Sequence, residues 1–364
     1  MKVLVINLLP KTPFHFGERG VGLEETEIFP HSDTIFSAIC WTWTLLYGEK
    51  SLEDELIEPF KNKSPSFILS SAFPYIEDIR FLPCPVSLSF KDKEKIKKVK
   101  YVSWKLFHSL NKGSISEETV FIHDEYLWLT ESEFEKLPSE ILDKKALAVF
   151  LKQWIAKGKK DKPSKKEFSN CFYVWKIGEL PHVTVDRISS GSNIFHESDV
   201  FFSEKCGMYI LVKFFNSEVR NKFLACLRLL GDEGLGGRRS QGRGMFEVDK
   251  IEEIELPSLK NADKILLLSL LNPDRNELSK LLSSKSAYKL IPRRGWVYSF
   301  RARNLRRKRV MMFSEGSIFN RIDKEIVGRL VPVLEKDEVI PHDVYRYGYG
   351  FFIPWSGGSD EISN

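Results

Sequence analysis

Short apolar runs of strand period alternate along this chain with longer stretches of helical period, and the alternation occurs twice. Lys2 to Leu9 is apolar and β-branched and stops at Pro10, which predicts a central strand. Residues 11–30 follow as a loop. Pro30-His31-Ser32 then opens a helix, with Ser32 the expected N-cap and Asp33 suited to the positive end of the helix dipole. Ile35, Ile39, Trp43 and Leu46 recur at helical spacing, so one face is expected to pack on a sheet, and Gly48 to end the helix. Strands are expected near residues 67–73, 81–86 and 119–129, and helical stretches over 132–142 and 145–156.

The second half follows the same plan. Residues 183–188 and 207–215 read as strands. Ser217 is the expected cap of a helix in which Val219, Phe223, Leu227 and Leu230 share a face, with Gly231 at its end. Strands follow at 245–254, 264–271, 296–300, 310–313 and 345–353. Strand–helix–strand groupings that come twice predict two α+β modules, here 1–168 and 169–364, joined near a lysine-rich linker. A chain of 364 residues is long enough for two cores.

Charge matters here through its clustering, because the net value is only +5. Residues 157–166 hold six lysines, and 293–309 hold eight basic residues and no acid, interleaved with Trp296, Tyr298 and Phe300. Cations beside aromatic rings suit a nucleic-acid strand, although the lysine run reads equally well as a solvated linker. Five scattered cysteines without a C-x-x-C pair point to a reducing interior and away from zinc. With no signal-peptide pattern and no membrane-length apolar run, a cytoplasmic protein without cofactor or metal is expected.

The most informative stretch is Gly231 to Gly244, Gly-Asp-Glu-Gly-Leu-Gly-Gly-Arg-Arg-Ser-Gln-Gly-Arg-Gly. Six glycines let the backbone approach a partner closely, and three arginines supply planar, permanently charged forks. A dinucleotide fingerprint begun at Gly234 would need a glycine at 239, which is arginine, and no Gly-Lys-Ser/Thr follows for a P-loop. A polyanion is the expected partner. Gly236, Gly237, Gly242 and Gly244 would bring backbone amides to phosphates, Arg238, Arg239 and Arg243 would supply charge, and Ser240 and Gln241 would read a base edge or ribose hydroxyl. The N-terminal loop adds His15, Phe16, Gly17 and Arg19; His31 and Ser32 at the helix start and Arg187 after a strand complete the expected RNA-facing set. Phe16 is as well suited to a core as to base stacking.

Phe14-His-Phe-Gly-Glu-Arg-Gly-Val-Gly-Leu-Glu-Glu-Thr, Pro30-His-Ser-Asp-Thr-Ile-Phe-Ser-Ala, Pro181-His-Val-Thr-Val-Asp-Arg-Ile-Ser-Ser-Gly-Ser-Asn-Ile-Phe, the glycine stretch 234–244, Phe313-Ser-Glu-Gly-Ser-Ile-Phe and Val344-Tyr-Arg-Tyr-Gly-Tyr-Gly occur in that order. In this order they resemble the RAMP subunit numbered four of type III-A CRISPR effector complexes, over nearly the whole chain. The resemblance implies an α+β chain of two ferredoxin-like (RRM-like) RAMP domains with inserted hairpin or thumb segments. It implies a non-catalytic RNA-binding subunit that grips the 5′ handle of the CRISPR RNA and contacts the large polymerase-like subunit and the backbone RAMP filament. The competing expectation within the same superfold is a metal-independent endoribonuclease that processes precursor CRISPR RNA, with His15 or His31 as general acid or base. A third is a protein–protein scaffold whose glycine loop meets a partner chain.

Overall fold

The computed structural model describes residues 1–17, 27–88, 98–115, 117–159, 161–185, 191–259, 262–298, 303–338 and 340–357. Strand β1 (Lys2–Pro10) is central, as its continuous apolar run requires. Its antiparallel neighbours, β10 (Cys206–Phe214) and β11 (Phe246–Glu255), come from the second half of the sequence. On the far side of β10 lie β2 (Phe67–Leu69) and β3 (Phe73–Ile76), and the sheet continues through β4 (Ile79–Pro83), β5 (Tyr101–Ser103), β7 (Leu127–Thr130) and β6 (Thr119–Ile122). The order is β11-β1-β10-β3-β4-β5-β7-β6, with β2 on β10.

Two helices link the central strands. Helix α1 (Ser32–Leu52) leads from β1 towards β2 and is interrupted at Gly48, whose φ is +84°. Helix α2 (Ser217–Glu233) joins β10 to β11 and packs on both α1 and β11. Ile35, Ile39 and Trp43 of α1 are fully buried as their spacing predicts, whereas Leu46 stays 44% exposed. Val219, Phe223, Leu227 and Leu230 of α2 are all buried, and Phe223 meets Phe67 edge to face at 4.9 Å. Both caps lie one residue ahead of the expected position. His31 precedes α1, and Asn216 caps α2, its side chain accepting from the Glu218 amide at 2.9 Å. Gly231 lies inside α2, where a Cβ would come 2.3 Å from the Phe246 carbonyl. It is Gly234, at φ +85°, that ends the helix.

The division at 168/169 does not coincide with a break in the sheet, because β1 is hydrogen-bonded between strands from beyond it. The long hairpin β8 (Trp175–Val185) and β9 (Ser192–Phe202) pairs over eleven residue pairs; β9 was not expected from the sequence, and β8 begins earlier than expected. Of the helical stretch expected at 132–142, the structure forms one turn at Glu131–Phe134 and a 3-10 turn at Ser139–Ile141. The helix expected at 145–156 spans Lys144–Ala156.

The C-terminal part holds β12 (Lys264–Leu267), β13 (Leu290–Arg293), β14 (Trp296–Tyr298), β15 (Arg303–Arg306), β16 (Val310–Phe313), β17 (Ile318–Asn320), β18 (Gly328–Leu334), β19 (Val344–Tyr349) and β20 (Phe352–Trp355). They form the sheet β17-β12-β20 and the pairs β13-β16, β14-β15 and β18-β19. The aromatic run on β19 and β20 is core: Tyr347 and Tyr349 are fully buried, and Tyr347 lies 5.1 Å from the Phe36 ring on α1. Among the described residues no helix is long and apolar enough to cross a membrane.

Candidate nucleic-acid interface

The glycine loop connects α2 to β11, so it projects from the end of the central sheet, beside the segment that leaves β1. The two segments are laced together by backbone hydrogen bonds. Gly237 N donates to His15 O at 2.8 Å, Gly244 N to Pro13 O at 2.8 Å, and Lys11 N to Met245 O at 2.9 Å. Close approach explains the glycines. A Cβ on Gly236, at φ +103°, would lie 2.6 Å from His15 O, and one on Gly244 2.2 Å from Leu235 O.

The amides expected to cradle phosphate are therefore largely committed within the chain. Gly237 and Gly244 bond to the N-terminal segment, and Gly242 N donates to Arg239 O at 2.9 Å. The tip is a short 3-10 turn, Arg239–Gln241, held between Arg238 and Gly242, both in the left-handed region. Ser240, Gln241 and Gly242 are exposed at this tip.

The three arginines have different surroundings. Arg243 Nε donates to Asp199 Oδ2 at 2.9 Å, and Arg238 is ion-paired to Glu197; both carboxylates are only 3% exposed. These acids sit on β9, a strand that the sequence pattern does not predict. Three consecutive buried polar residues, Glu197, Ser198 and Asp199, interrupt the alternation that would have marked it. Arg239 instead lies over the Trp41 ring of α1, 5.6 Å from its centroid.

The other expected site residues divide in the same way. His15 lies within this assembly, its Nδ1 2.9 Å from Ser198 O and 3.8 Å from Asp199. Phe16 is 5% exposed and stacks on Phe14 at 5.2 Å, so it is core and presents no platform to a base. Gly17 is exposed beside them. Arg19 and Arg187 lie outside the described residues. Ser32 is fully buried; its hydroxyl accepts from Leu270 N at 3.0 Å and its amide donates to Ser71 Oγ at 2.9 Å, which leaves it no ligand-facing group.

His31 belongs to a buried charge network that ties the start of α1 to the C-terminal strands. Its Nδ1 is 2.8 Å from Glu315 and its Nε2 3.4 Å from Glu27. Burial disfavours the imidazolium, but the two carboxylates outweigh it and raise the pKa to about 10. A ring held protonated at neutral pH is a poor general base. Asp33 is gripped by Arg293, at 3.1 Å and 3.2 Å, and by Arg346. Burial opposes its ionisation, yet Arg293, Arg346 and His31 together hold the carboxyl well below the ordinary carboxylate range. The helix dipole expected to explain Asp33 is therefore secondary to two guanidinium groups.

Trp43 and Trp355 are buried and stack no bases. Trp41 is half-buried beside Arg239, and Trp296 lies under Arg306 at 4.9 Å. In the lysine-rich segment Lys166 pairs with Glu118 and with Glu131, and Lys159 lies 3.6 Å from the Trp154 ring centroid, so much of that charge is answered internally.

Comparison with known proteins bears on this arrangement. Residues 260–355 match the family described as the CRISPR Csm4 C-terminal domain. The whole chain aligns at 26% identity with the CRISPR system Cms protein Csm4 of Methanocaldococcus jannaschii, covering 100% of both. It aligns at 25% identity with the protein of the same name from Thermococcus onnurineus, covering 96% of each. The fold is similar to a chain in the crystal structure of the Csm3-Csm4 subcomplex of the type III-A CRISPR-Cas interference complex, with TM-score 0.63 and 22% identity over 98% of this chain and 99% of that one. A chain of the Csm1-Csm4 cassette in complex with pppApA gives TM-score 0.55 at 20% identity, over 98% of each. The mixed α+β fold is thus similar to that of a subunit of a type III CRISPR interference complex. Over its whole length the sequence is similar to proteins named Csm4, and its C-terminal part matches the Csm4 C-terminal family, as the sequence resemblance implied.

Proposed function

We propose that this chain is a non-catalytic RNA-binding subunit that anchors the 5′ handle of a CRISPR RNA at one end of a type III-A complex. The observation that carries the reading is the glycine loop. Two arginines and several backbone bonds fix its base, while Arg239, Ser240, Gln241 and Gly242 are presented at the tip. A rigid base with a polar, cationic tip suits a single strand, whose phosphates, 2′-hydroxyls and unstacked bases are all reachable. His15 and Gly17 flank the same tip; Arg238 and Arg243 are 28% and 23% exposed, so each keeps a face for a phosphate while pairing inward. Arg19 and Arg187 complete the proposed set.

The fold supports a finer reading. The central order β11-β1-β10-β3, linked through α1 and α2, supports the reading of a ferredoxin-like unit whose middle strands are separated in sequence by an insertion carrying β4 to β9. The C-terminal part, from β12 onward, is read as the second RAMP unit. Docking of the large polymerase-like subunit and of the backbone RAMP subunit is part of the proposal, supported by the similar chains seen with Csm1 and with Csm3.

The test uses 5′-labelled RNA bearing a candidate handle, with a scrambled control, run on native and denaturing gels after one metal-free incubation. A handle-preferring shift with intact RNA is expected. A discrete cut abolished by His15→Ala would replace this reading with a processing nuclease. Absence of any shift, with recovery of partner subunits, would favour the scaffold.

A further inference from the structure

Arg307 is a half-buried cation with no carboxylate paired to it among the described residues. It follows β15 directly, and its amide donates to Gly295 O at 2.9 Å. Its Nε is closed off from solvent and meets no acceptor among the described residues. The carboxylate within electrostatic reach, Asp33, is already held by Arg293 and Arg346. Burial, followed by repulsion from Arg346, lowers the guanidinium pKa to about 10, with Asp33 and Cys40 pulling the other way. Arginine at neutral pH keeps its charge even so, and a desolvated, unpaired cation destabilises the fold that holds it.

Its neighbours say what would relieve it. The field of Arg307 reaches Cys40 on α1, and the next residue, Trp41, carries Arg239 of the glycine loop over its ring. Arg307 and the glycine loop thus both act on neighbouring residues of α1. Beside Arg307 in sequence, Arg306 lies over Trp296, and Lys308 and Arg309 are exposed. Cations paired with indole rings on both sides of an unanswered guanidinium fit a single-stranded nucleic acid better than an acidic protein segment, which would gain nothing from the rings.

We propose that Arg307 binds a backbone phosphate of RNA that crosses α1 from the glycine loop, making Arg306, Arg307, Lys308 and Arg309 a second anchor for the same strand. The inference rests on the RNA-binding reading above and extends its site into the C-terminal part.

The test measures the affinity of the full chain for 5′-labelled single-stranded RNA of about ten nucleotides over a salt series, for wild type, Arg307→Met and Arg307→Lys. Loss of one phosphate contact should make the log–log salt slope of Arg307→Met shallower by about 0.7 and weaken binding roughly fivefold at about 0.1 M salt. Arg307→Lys should keep most of the slope. Without RNA, Arg307→Met should melt at or above the wild-type temperature, because a half-buried cation whose Nε has no acceptor has been removed. If wild type binds and Arg307→Met matches its slope, the second anchor is overturned while the glycine-loop reading stands. If Arg307→Met binds RNA normally but loses an acidic peptide that wild type retains, the occupant is protein. A markedly lower melting temperature would mean that Arg307 is paired within the chain, which also overturns the inference. If wild type binds no RNA at low salt, both readings fall together.

Discussion

Arg243 on the glycine loop donates from Nε to Asp199 on β9 at 2.9 Å, and the accepting carboxylate is 3% exposed. The pair fastens a loop at the end of the central sheet to a hairpin that the sequence places some forty residues earlier. Arg238 and Glu197 repeat the contact two residues along the same strand. The loop is thereby a fixed presentation of its tip.

Asp199→Ala should strip Arg243 of its partner and leave a half-buried cation. Removing one member of a fully buried pair costs about 3–5 kcal/mol; with Arg243 partly in water, a loss of about 2 kcal/mol is expected. Urea unfolding checks the value. A change within about 0.5 kcal/mol, the range of ordinary surface substitutions, would mean that the pair fixes nothing.

Gly236 and Gly242 make an internal control, because both have positive φ and only one is crowded. A Cβ at Gly236 would meet His15 O at 2.6 Å, whereas at Gly242 nothing lies within 4 Å. Gly242→Ala should cost about 1 kcal/mol from backbone conformation alone, and Gly236→Ala distinctly more because the N-terminal segment must move. Thermal melts that shift equally would contradict the lacing of the two segments.

The His31 network makes stability depend on pH in a defined direction. The folded pKa of His31 is raised from 6.5 to about 10. Its contribution is complete below about 6.5 and declines as pH rises towards 10. Glu27 and Glu315 are lowered, each despite burial, by His31 above all, so their contribution is present above 4.5 and fades in acid. The stability gap between wild type and His31→Gln should therefore narrow between pH 7 and pH 10. Chemical denaturation across that range reads it, and a constant gap would mean that His31 is neutral in the fold.

Much of the framework was legible in the sequence and some of the site was not. The apolar run of β1 and the faces of α1 and α2 follow from periodicity, because burial on a sheet imposes it. Closure of the sheet across the expected 168/169 boundary was hidden, since β1 names no partner and its strand neighbours lie some two hundred residues away. Arg238 and Arg243 were found as cations but not as clamps. Their acids sit on β9, whose buried Glu197 and Asp199 break the pattern by which a strand is recognised. Phe16 shows the converse limit, as an aromatic beside glycine reads alike whether it faces a base or, as here, Phe14.

Arg239 separates binding from architecture. Its contact with Trp41 is worth about 0.5–1 kcal/mol, so Arg239→Gln should cost the fold less than Asp199→Ala does. The same variant should weaken RNA binding and lower its salt slope by about 0.7. A stable variant with undiminished affinity would remove Arg239 from the interface.

The most direct measurement is photo-crosslinking of the full chain to handle RNA carrying 4-thiouridine, with the adducts located by mass spectrometry. Adducts on the peptide containing Ser240 and Gln241 are the expected result, since the tip they form is the exposed end of the fixed loop. Efficient crosslinking that spares residues 231–244 altogether would contradict the account.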